Sequence, residues 1–197
     1  MALYTQDALA NSLKKLSSKK SLDKITVNDL VEDCGMNRNT FYYRFHGIPE
    51  LLQWMLEHDL TAAVGGNISL DSWQKGVSGA LQYIYDNAPF FKKLYHSRYW
   101  KETREFLNTM LSRRVAAFTN EAIAKTEAER GEKLHLSEFG YRYIVRFYCA
   151  MLYSAVEEWF LSGMHEPADK LPYLIGSFTH NMMYRAFDKF SEDTSKY

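Results

Sequence analysis

Apolar and polar residues alternate along the amino-terminal part of the chain with the period of an α-helix. Residues 5–18 place apolar side chains three or four positions apart, with polar residues between them, as an amphipathic helix does. The polar run at 17–24 ends this pattern, and two shorter apolar patterns follow at 27–31 and 38–45. We therefore predict one helix of about four turns with two shorter helices after it.

Capping residues mark the ends of the two short helices. Thr26 can accept a hydrogen bond from the first free amides of the second helix, and Asp29 follows three residues later, as in a capping box. Asn37 can cap the third helix in the same way. Gly35 and Gly47 stand where these helices end, because glycine adopts a left-handed conformation at little cost. Two short helices joined by a tight turn form a candidate helix-turn-helix.

The rest of the chain also predicts helices, so we expect an all-α protein. Pro49 suits the first turn of a fourth helix, which continues until the glycines at 65–66. Ser137 can cap a later helix. We place a helix-turn-helix domain at 1–47 and a second helical domain at 48–197. Further helices are predicted near 70–87, 89–96, 100–125, 137–163 and 170–190, with a charged loop or fraying end at 125–133.

Composition and charge narrow the class of protein. Hydrophobic residues make up 46% of the 197 residues and charged residues 24%, which is typical of a globular protein and not of a disordered chain. The formal net charge is zero, but residues 1–46 carry seven Lys or Arg against five Asp or Glu, a small positive excess that points to an anionic partner. The sequence has neither a long apolar run nor a signal peptide, so we expect a soluble cytoplasmic protein that binds no membrane.

The motifs of common catalytic sites do not occur in this sequence. It has no Gly-x-Ser-x-Gly elbow, no His-Glu-x-x-His zinc motif and no glycine-rich phosphate loop. Its six histidines and two cysteines do not have the spacing of metal ligands. We therefore predict no enzymatic activity, no catalytic or metal-binding residues and no cofactor.

The third helix combines two apolar anchors with a polar face. Phe41 and Phe45 are four residues apart, so both can pack on the other two helices. The opposite face carries side chains that bind DNA: arginine suits guanine, asparagine suits adenine, and tyrosine hydroxyls suit phosphate. A solvated polar helix face is the alternative interpretation. The predicted DNA-binding residues on this face are Arg38, Asn39, Thr40, Tyr42, Tyr43 and Arg44.

The run from Ile25 to Phe45 resembles the signature of the TetR/AcrR family of transcriptional regulators. That family combines a Thr-Val-x-x-Ile/Leu helix, a glycine turn and a Thr-Leu/Phe-Tyr-x-x-Phe recognition helix. This chain has the corresponding residues at 26–30, at Gly35 and at 40–45, with the same spacing. The chain is also similar to the branch that contains dihydroxyacetone kinase operon activators, at residues 22–27, 37–45 and 160–164.

The resemblance implies a fold and a set of partners. It implies a three-helix helix-turn-helix domain that binds double-stranded DNA, followed by a helical domain for ligand binding and dimerisation. The last two helices, near 137–163 and 170–190, would form a homodimer, because a two-fold dimer places two recognition helices about 34 Å apart. Thr26 and Asn37 join the predicted DNA contacts, with Thr26 beside a backbone phosphate.

The chain departs from the family pattern at the start of the fourth helix. The family usually has a lysine there that reaches a phosphate, whereas this chain reads Gly47-Ile48-Pro49. Loss of one phosphate contact weakens DNA binding and lowers its salt dependence. The principal prediction is a ligand-responsive regulator that binds a near-palindromic operator as a homodimer. The alternative is a partner-dependent co-activator or a protein–protein adaptor with a weakened DNA-binding head.

Aromatic residues are the candidates for the wall of an effector pocket. The chain contains 14 tyrosines and 12 phenylalanines, and rings can line an apolar cavity that holds a few polar groups. Ordinary core packing is the alternative for each of them, and the sequence identifies neither the effector nor its contact residues. The candidate wall residues are Trp73, Tyr83, Phe90, Phe91, Tyr95, Trp100, Phe106, Tyr143, Phe147 and Tyr148.

Overall fold

A computed structural model describes residues 2–66, 69–179 and 182–192, and this part of the chain is helical without strands. The prediction of an all-α fold is confirmed. The helices of the described residues are α1 (Ala2–Lys19), α2 (Val27–Asp33), α3 (Arg38–Tyr42), α4 (Ile48–Val64), α5 (Trp73–Asp86), α6 (Ala88–Tyr95), α7 (Trp100–Arg130), α8 (Glu138–Leu161), α9 (Lys170–Thr179) and α10 (Met182–Glu192), with a 3-10 turn at Leu22–Lys24.

The chain forms two compact units. The first comprises Met1–Ala62 and Tyr83–Leu107, and the second comprises Ala63–Gln82 and Asn108–Tyr197. The helices α4, α5 and α7 therefore have residues in both units. The functional division at residue 47 stays a prediction. Within the described ranges, no helix is both long and apolar enough to cross a lipid bilayer.

The predicted capping residues begin three of the helices. Thr26 Oγ1 accepts a hydrogen bond from Asp29 N at 3.2 Å, and Asp29 Oδ2 accepts one from Thr26 N at 2.7 Å, which completes the capping box of α2. Asn37 Oδ1 accepts a hydrogen bond from Thr40 N at 2.9 Å at the start of α3. The hydroxyl of Ser137 caps α8 with a bond of 3.0 Å. These starts depend on interactions between near neighbours, and the sequence alone predicts them.

The end of α7 differs from the prediction. A loop or fraying end is predicted from residue 125, but the helix continues to Arg130 and ends before Gly131, whose φ is +71°. The prediction is wrong because Ala122 and Thr126 are both buried. Packing of this face therefore continues past residue 125 and keeps the charged segment helical.

The third predicted helix is shorter than expected, and the last is described in two parts. α3 ends at Tyr42, after which Arg44 N donates a hydrogen bond to Phe41 O at 2.9 Å. A bond to the third preceding residue tightens the last turn of a helix. The predicted helix at 170–190 corresponds to α9 and α10, and residues 180–181 lie outside the described part of the chain.

Each unit has its own buried apolar core. In the first unit, leucines of α1, α2 and α4 are completely buried, and so is Phe41 of α3. In the second unit, α7, α8 and α10 supply the buried cluster. The members of that second cluster are Val115, Ala122, Ile144, Val145, Tyr148, Met183 and Phe187.

A polar network within the first unit joins α1, α4 and α5. Lys14 Nζ lies 2.5 Å from Asp59 Oδ2, and the Tyr83 hydroxyl donates to the same oxygen at 2.7 Å. Burial alone raises the pKa of Asp59, but the hydrogen bonds from Lys14 and Tyr83 outweigh burial and hold this pKa below its ordinary value of 3.8. Burial and the neighbouring Asp59 raise the pKa of Tyr83. The ionised carboxylate therefore holds three helices together at neutral pH.

Replacing Asp59 with asparagine is expected to lower the free energy of unfolding by about 1–2 kcal/mol, because it leaves the Lys14 ammonium partly buried without its counter-charge. Side chains of the pair are only 25% and 21% exposed, so water screens them incompletely. Because the pKa of Asp59 is lowered in the folded state, its contribution is present above pH 3.8 and is lost as the pH falls through the lowered value. Urea unfolding followed from neutral to acidic pH measures both effects.

Asp188 provides the control for this substitution. It pairs with Arg130 at 2.6 Å, but these side chains are 49% and 36% exposed. Asp188→Asn should therefore change the free energy of unfolding by less than about 0.5 kcal/mol. An equal decrease in the free energy of unfolding of the two variants would show that the Asp59 network stabilises the protein no more than an ordinary surface ion pair does.

Candidate nucleic-acid interface

The turn between α2 and α3 is built from local hydrogen bonds. Gly35, with φ +63°, donates its N–H to Glu32 O at 3.1 Å, and Met36 N donates to Val31 O at 2.7 Å. This pair of bonds is a Schellman motif, which needs a left-handed residue after the helix. Asn37 then caps α3 directly. The structure therefore forms the predicted helix-turn-helix, with a third helix that is shorter than predicted.

Two phenylalanines attach α3 to the core of the first unit. Phe41 is completely buried, and Phe45 is 2% exposed. Their ring centroids are 5.8 Å apart, and the ring of Phe45 lies 6.1 Å from that of Trp54 on α4. Both residues are anchors, as predicted. Their burial decides which side of the short α3 segment faces solvent.

The outward face presents two tyrosines with two guanidinium groups. Tyr42 is 50% exposed and Tyr43 is 80% exposed. The Arg38 Cζ atom lies 5.9 Å from the Tyr42 ring centroid, and the Arg44 Cζ atom lies 4.9 Å from that of Tyr43. Stacking on a ring orders a guanidinium while its N–H donors stay free for an external acceptor. On the same segment, Asn39 is exposed and Thr40 is half-buried.

The other predicted contacts, Thr26 and Asn37, use their side-chain oxygens within the protein. Asn37 Oδ1 also accepts from Thr40 Oγ1 at 3.1 Å, and Thr26 Oγ1 donates to Asp29 Oδ2 at 2.7 Å. Hydrogen bonds from Lys20 and Thr26 lower the pKa of Asp29 to about 2, so its carboxylate is charged at neutral pH. A phosphate beside Thr26 would also meet this negative charge. The observed role of these side chains is to position α2 and α3.

Ion pairs within the first unit engage much of the basic cluster near the end of α1. These lysines are not among the predicted DNA-binding residues. Each pair neutralises a charge that would otherwise attract phosphate. The pairs are Lys14 with Asp59 at 2.5 Å, Lys15 with Asp33 at 2.6 Å, and Lys20 with Asp29 at 2.7 Å.

The start of α4 lacks the family's lysine and carries an exposed histidine nearby. Ile48 is 6% exposed and belongs to the core, so this position cannot reach a phosphate. His46 has a side chain that is 98% exposed, and its Nδ1 lies 2.7 Å from Glu50 Oε2. The hydrogen bonds from the His46 backbone and side chain lower the pKa of Glu50. His46 is not among the predicted DNA-binding residues, although its imidazole directly follows the recognition segment and is exposed.

A cavity of about 310 Å³ lies within the second unit. Residues of α5, α7, α8, α9 and α10 line it, and most of their side chains are apolar. Its volume is near the lower end of the range of roughly 300–1,000 Å³ for small-molecule sites. Throughout the part of the chain that the structure describes, no group of three or more His, Cys, Asp or Glu side chains could hold a metal ion.

Only two of the ten predicted wall residues, Trp73 and Tyr148, line this cavity. Phe90 and Phe91 are buried in the first unit, where Phe91 packs edge-to-face on Tyr83. Tyr95, Trp100 and Phe106 also belong to the first unit, while Tyr143 and Phe147 are exposed on α8. The lining residues that sequence reasoning missed include Gln74, Arg114, Phe118, Lys125 and Tyr184.

Comparisons with known proteins agree with this architecture. A family model described as the TetR-type "Transcriptional regulator C-terminal region" matches residues 71–181. The "HTH-type dhaKLM operon transcriptional activator DhaS" of Lactococcus lactis subsp. lactis (strain IL1403) is 29% identical over 94 residues, which are 48% of this chain and 50% of that protein. The chain thus matches about half the length of this curated relative.

A solved structure supports the fold over nearly the whole chain. The structure named "Dihydroxyacetone kinase operon activator DhaS" has a TM-score of 0.62 and 22% sequence identity, and the match covers 96% of this chain and 99% of that one. At this identity the likeness shows the fold. The matched relatives are named as an operon transcriptional activator and an operon activator. Because the family model matches more than half of the residues, this chain belongs to the TetR family of transcriptional regulators.

Proposed function

We propose that this protein is a ligand-responsive regulator that binds a near-palindromic operator as a homodimer, acts in the cytoplasm and has no catalytic activity. The observation that carries the DNA-binding part is the outward face of residues 38–44, which comprise α3 and the turn after it and which we call the α3 face. Tyr42, Tyr43 and Arg38 are exposed there, and Arg44 stacks on Tyr43. Guanidinium groups bind guanine edges and phosphates, and tyrosine hydroxyls bind phosphates. Thr26, Asn37, Asn39 and Thr40 complete the proposed surface.

An uncovered aromatic row on α8 supports the homodimer. Phe139, Tyr143 and Phe147 follow at four-residue steps, and they are 53%, 51% and 55% exposed. On α9, Tyr173 and Leu174 are 72% and 47% exposed. Large apolar side chains left at the surface are typical of an interaction site. A second copy of the chain, paired through its last two helices, would cover this row.

A homodimer determines the form of the operator. Two copies related by a two-fold axis present two identical α3 faces, which read two half-sites of opposite direction. The half-sites of such dimers are one helical turn of DNA apart, about 34 Å, or a multiple of that distance. The operator is therefore near-palindromic in this proposal.

The cavity of the second unit is the proposed effector site. α4 begins directly after the helix-turn-helix and continues to Val64, so it has residues in both units. We propose that effector binding displaces α4, changes the separation of the two α3 faces and so changes operator affinity. Equal operator affinity with and without bound effector would contradict this mechanism.

Selection of bound sites from a random duplex pool tests the proposed function. The purified chain is incubated with the pool at low salt, and bound duplexes are amplified and sequenced. The expected result is an enriched near-palindrome with two half-sites. The double variant Tyr143→Asp/Phe147→Asp, which places charges on the exposed α8 row, should be monomeric in analytical ultracentrifugation and should enrich no palindrome. Enrichment of single half-sites by the dimeric wild type would contradict the two-fold arrangement.

The burial of Ile48 favours a second candidate function, a partner-dependent co-activator or adaptor. Ile48 replaces the family's lysine, and Lys15 and Lys20 are paired to carboxylates. The helix-turn-helix therefore has fewer unpaired positive charges with which to bind DNA phosphates. In this case the folded dimer enriches no sequence by itself. Repeating the selection with protein captured together with its cellular partners would then recover an operator.

A further inference from the structure

One side of α7 forms a wall of the cavity with a cation near each end. Arg114 and Lys125 are eleven residues apart, which is about 16 Å along a helix axis. The lining positions between them are apolar. A ligand that follows this wall therefore meets apolar surface along its body and positive charge at its ends. The α7 residues that line the cavity are Leu111, Arg114, Val115, Phe118, Ala122 and Lys125.

Tyr148 lines the same cavity and carries a buried hydroxyl. The residue is 9% exposed, and its hydroxyl oxygen has no hydrogen-bond partner among the described residues. Burial, with the nearby Tyr184, raises the pKa of Tyr148 to about 12, so the hydroxyl is protonated at neutral pH and can donate. A buried polar group without a partner is costly and rare. An acceptor oxygen on a ligand would satisfy it.

The charged side chains of the lining favour an anion. Arg114 and Lys125 carry two positive charges, and Asp71 carries one negative charge. Lys125 and Asp71 are exposed, whereas Arg114 is half-buried, so water screens its charge less than theirs. A guanidinium also matches a carboxylate with two parallel hydrogen bonds. Arg114 is therefore the group best suited to hold a carboxylate in this cavity.

We propose that the effector cavity binds a small hydrophobic carboxylate, with its charged group on Arg114 and an acceptor oxygen on the Tyr148 hydroxyl. The inference rests on the proposed function, because it takes this cavity as the effector site. The apolar lining excludes a ligand that is polar along its whole length, such as a sugar, since such a ligand would lose its hydrogen bonds to water. The volume of about 310 Å³ limits the ligand to a small molecule.

Isothermal titration calorimetry with three matched probes tests the chemical class. The probes are 4-phenylbutyrate, 4-phenylbutyramide and 4-phenylbutylamine, which share one apolar body and differ in charge. We expect the carboxylate to bind at least about tenfold more tightly than the amide, because its hydrogen bonds to Arg114 are charge-assisted. The amine should not bind. Tighter binding of the amide or amine, or no carboxylate binding at millimolar concentration, would overturn the inference.

Two pairs of variants test the residues. Arg114→Gln should weaken carboxylate binding about 10- to 100-fold and leave amide binding nearly unchanged. Arg113→Gln is the matched control, because Arg113 is the exposed neighbour that does not line the cavity. An equal loss of carboxylate affinity in these two variants would show that the overall positive charge of the protein, and not Arg114, attracts the probe.

Tyr148→Phe separates a ligand contact from a structural role. Removing an unpartnered buried hydroxyl should raise the thermal unfolding midpoint of the free protein, yet lower carboxylate affinity about tenfold. Tyr141→Phe is the control on the same helix, since the Tyr141 hydroxyl donates to Ala116 O at 3.4 Å and does not line the cavity. A drop in both midpoint and affinity for Tyr148→Phe would assign it to packing and overturn its role as donor.

The binding assay and the operator selection fail independently. A chain that enriches an operator but binds none of the three probes overturns the ligand class and keeps the DNA-binding function. A chain that binds 4-phenylbutyrate through Arg114 but enriches no DNA keeps the ligand class and overturns the proposed operator binding.

Discussion

Replacing Arg44 with alanine is expected to lower operator affinity by roughly two to four orders of magnitude. A good arginine contact to a base edge contributes about 1–3 kcal/mol, and the proposed homodimer loses it twice. The substitution should change the free energy of unfolding little, because Arg44 packs on the exposed ring of Tyr43 and not in the core. Fluorescence anisotropy on the selected operator, at one fixed salt concentration, measures the loss.

Arg98 provides a matched control for Arg44. Its Cζ atom also lies 4.9 Å from a tyrosine ring, that of Tyr99, and it belongs to the same unit but lies outside the helix-turn-helix. Arg98→Ala should keep operator affinity within about threefold of the wild type. If Arg44→Ala also stays within that limit while the protein remains folded, α3 is not the surface that reads the operator.

The substitution Gly79→Ala is expected to lower the free energy of unfolding by about 3 kcal/mol. A Cβ atom at this position would lie 2.0 Å from the backbone oxygen of Ala63 near the end of α4. A backbone carbonyl cannot rotate away as a side chain can, so α4 and α5 must separate locally. In a helix interior, alanine otherwise stabilises the folded state by about 1 kcal/mol relative to glycine. A lower free energy of unfolding, measured with urea, therefore reports the clash and not helix propensity.

Gly47 is the control for this substitution. A Cβ atom there would meet the Pro49 Cδ at 3.5 Å, which is ordinary van der Waals contact, and its φ is not positive. Gly47→Ala should therefore change the free energy of unfolding by less than about 0.5 kcal/mol. A stabilised Gly79→Ala variant would mean that α4 and α5 do not approach as closely as the structure shows.

Local chemistry explains why the starts of α2, α3 and α8 and the end of α2 are predictable from sequence. Thr26, Asn37 and Ser137 each form their cap with a residue three positions further along, and Gly35 ends α2 through bonds within six residues. Interactions of this range need no knowledge of the tertiary fold. The resemblance of residues 25–45 to the TetR family rests on the same local pattern, and the comparisons confirm the family.

Long-range packing explains the predictions that failed. The charged segment after residue 125 has no sequence signal for a buried face, yet α7 continues through it because Ala122 and Thr126 are buried. Arg114 and Lys125 are ordinary helix residues in the sequence. They become candidate ligand contacts only where α7 meets the other helices that line the cavity.

The sequence by itself determined most of the helices, their caps, the turn between α2 and α3 and the residues of the α3 face. Only the tertiary structure decided which apolar side of α8 is buried. Both sides carry large apolar residues at helical spacing, so periodicity alone cannot choose between Tyr148 and Phe147. The unit's own core takes Ile144, Val145 and Tyr148. Phe139, Tyr143 and Phe147 stay exposed, because burial depends on which neighbouring helices reach α8.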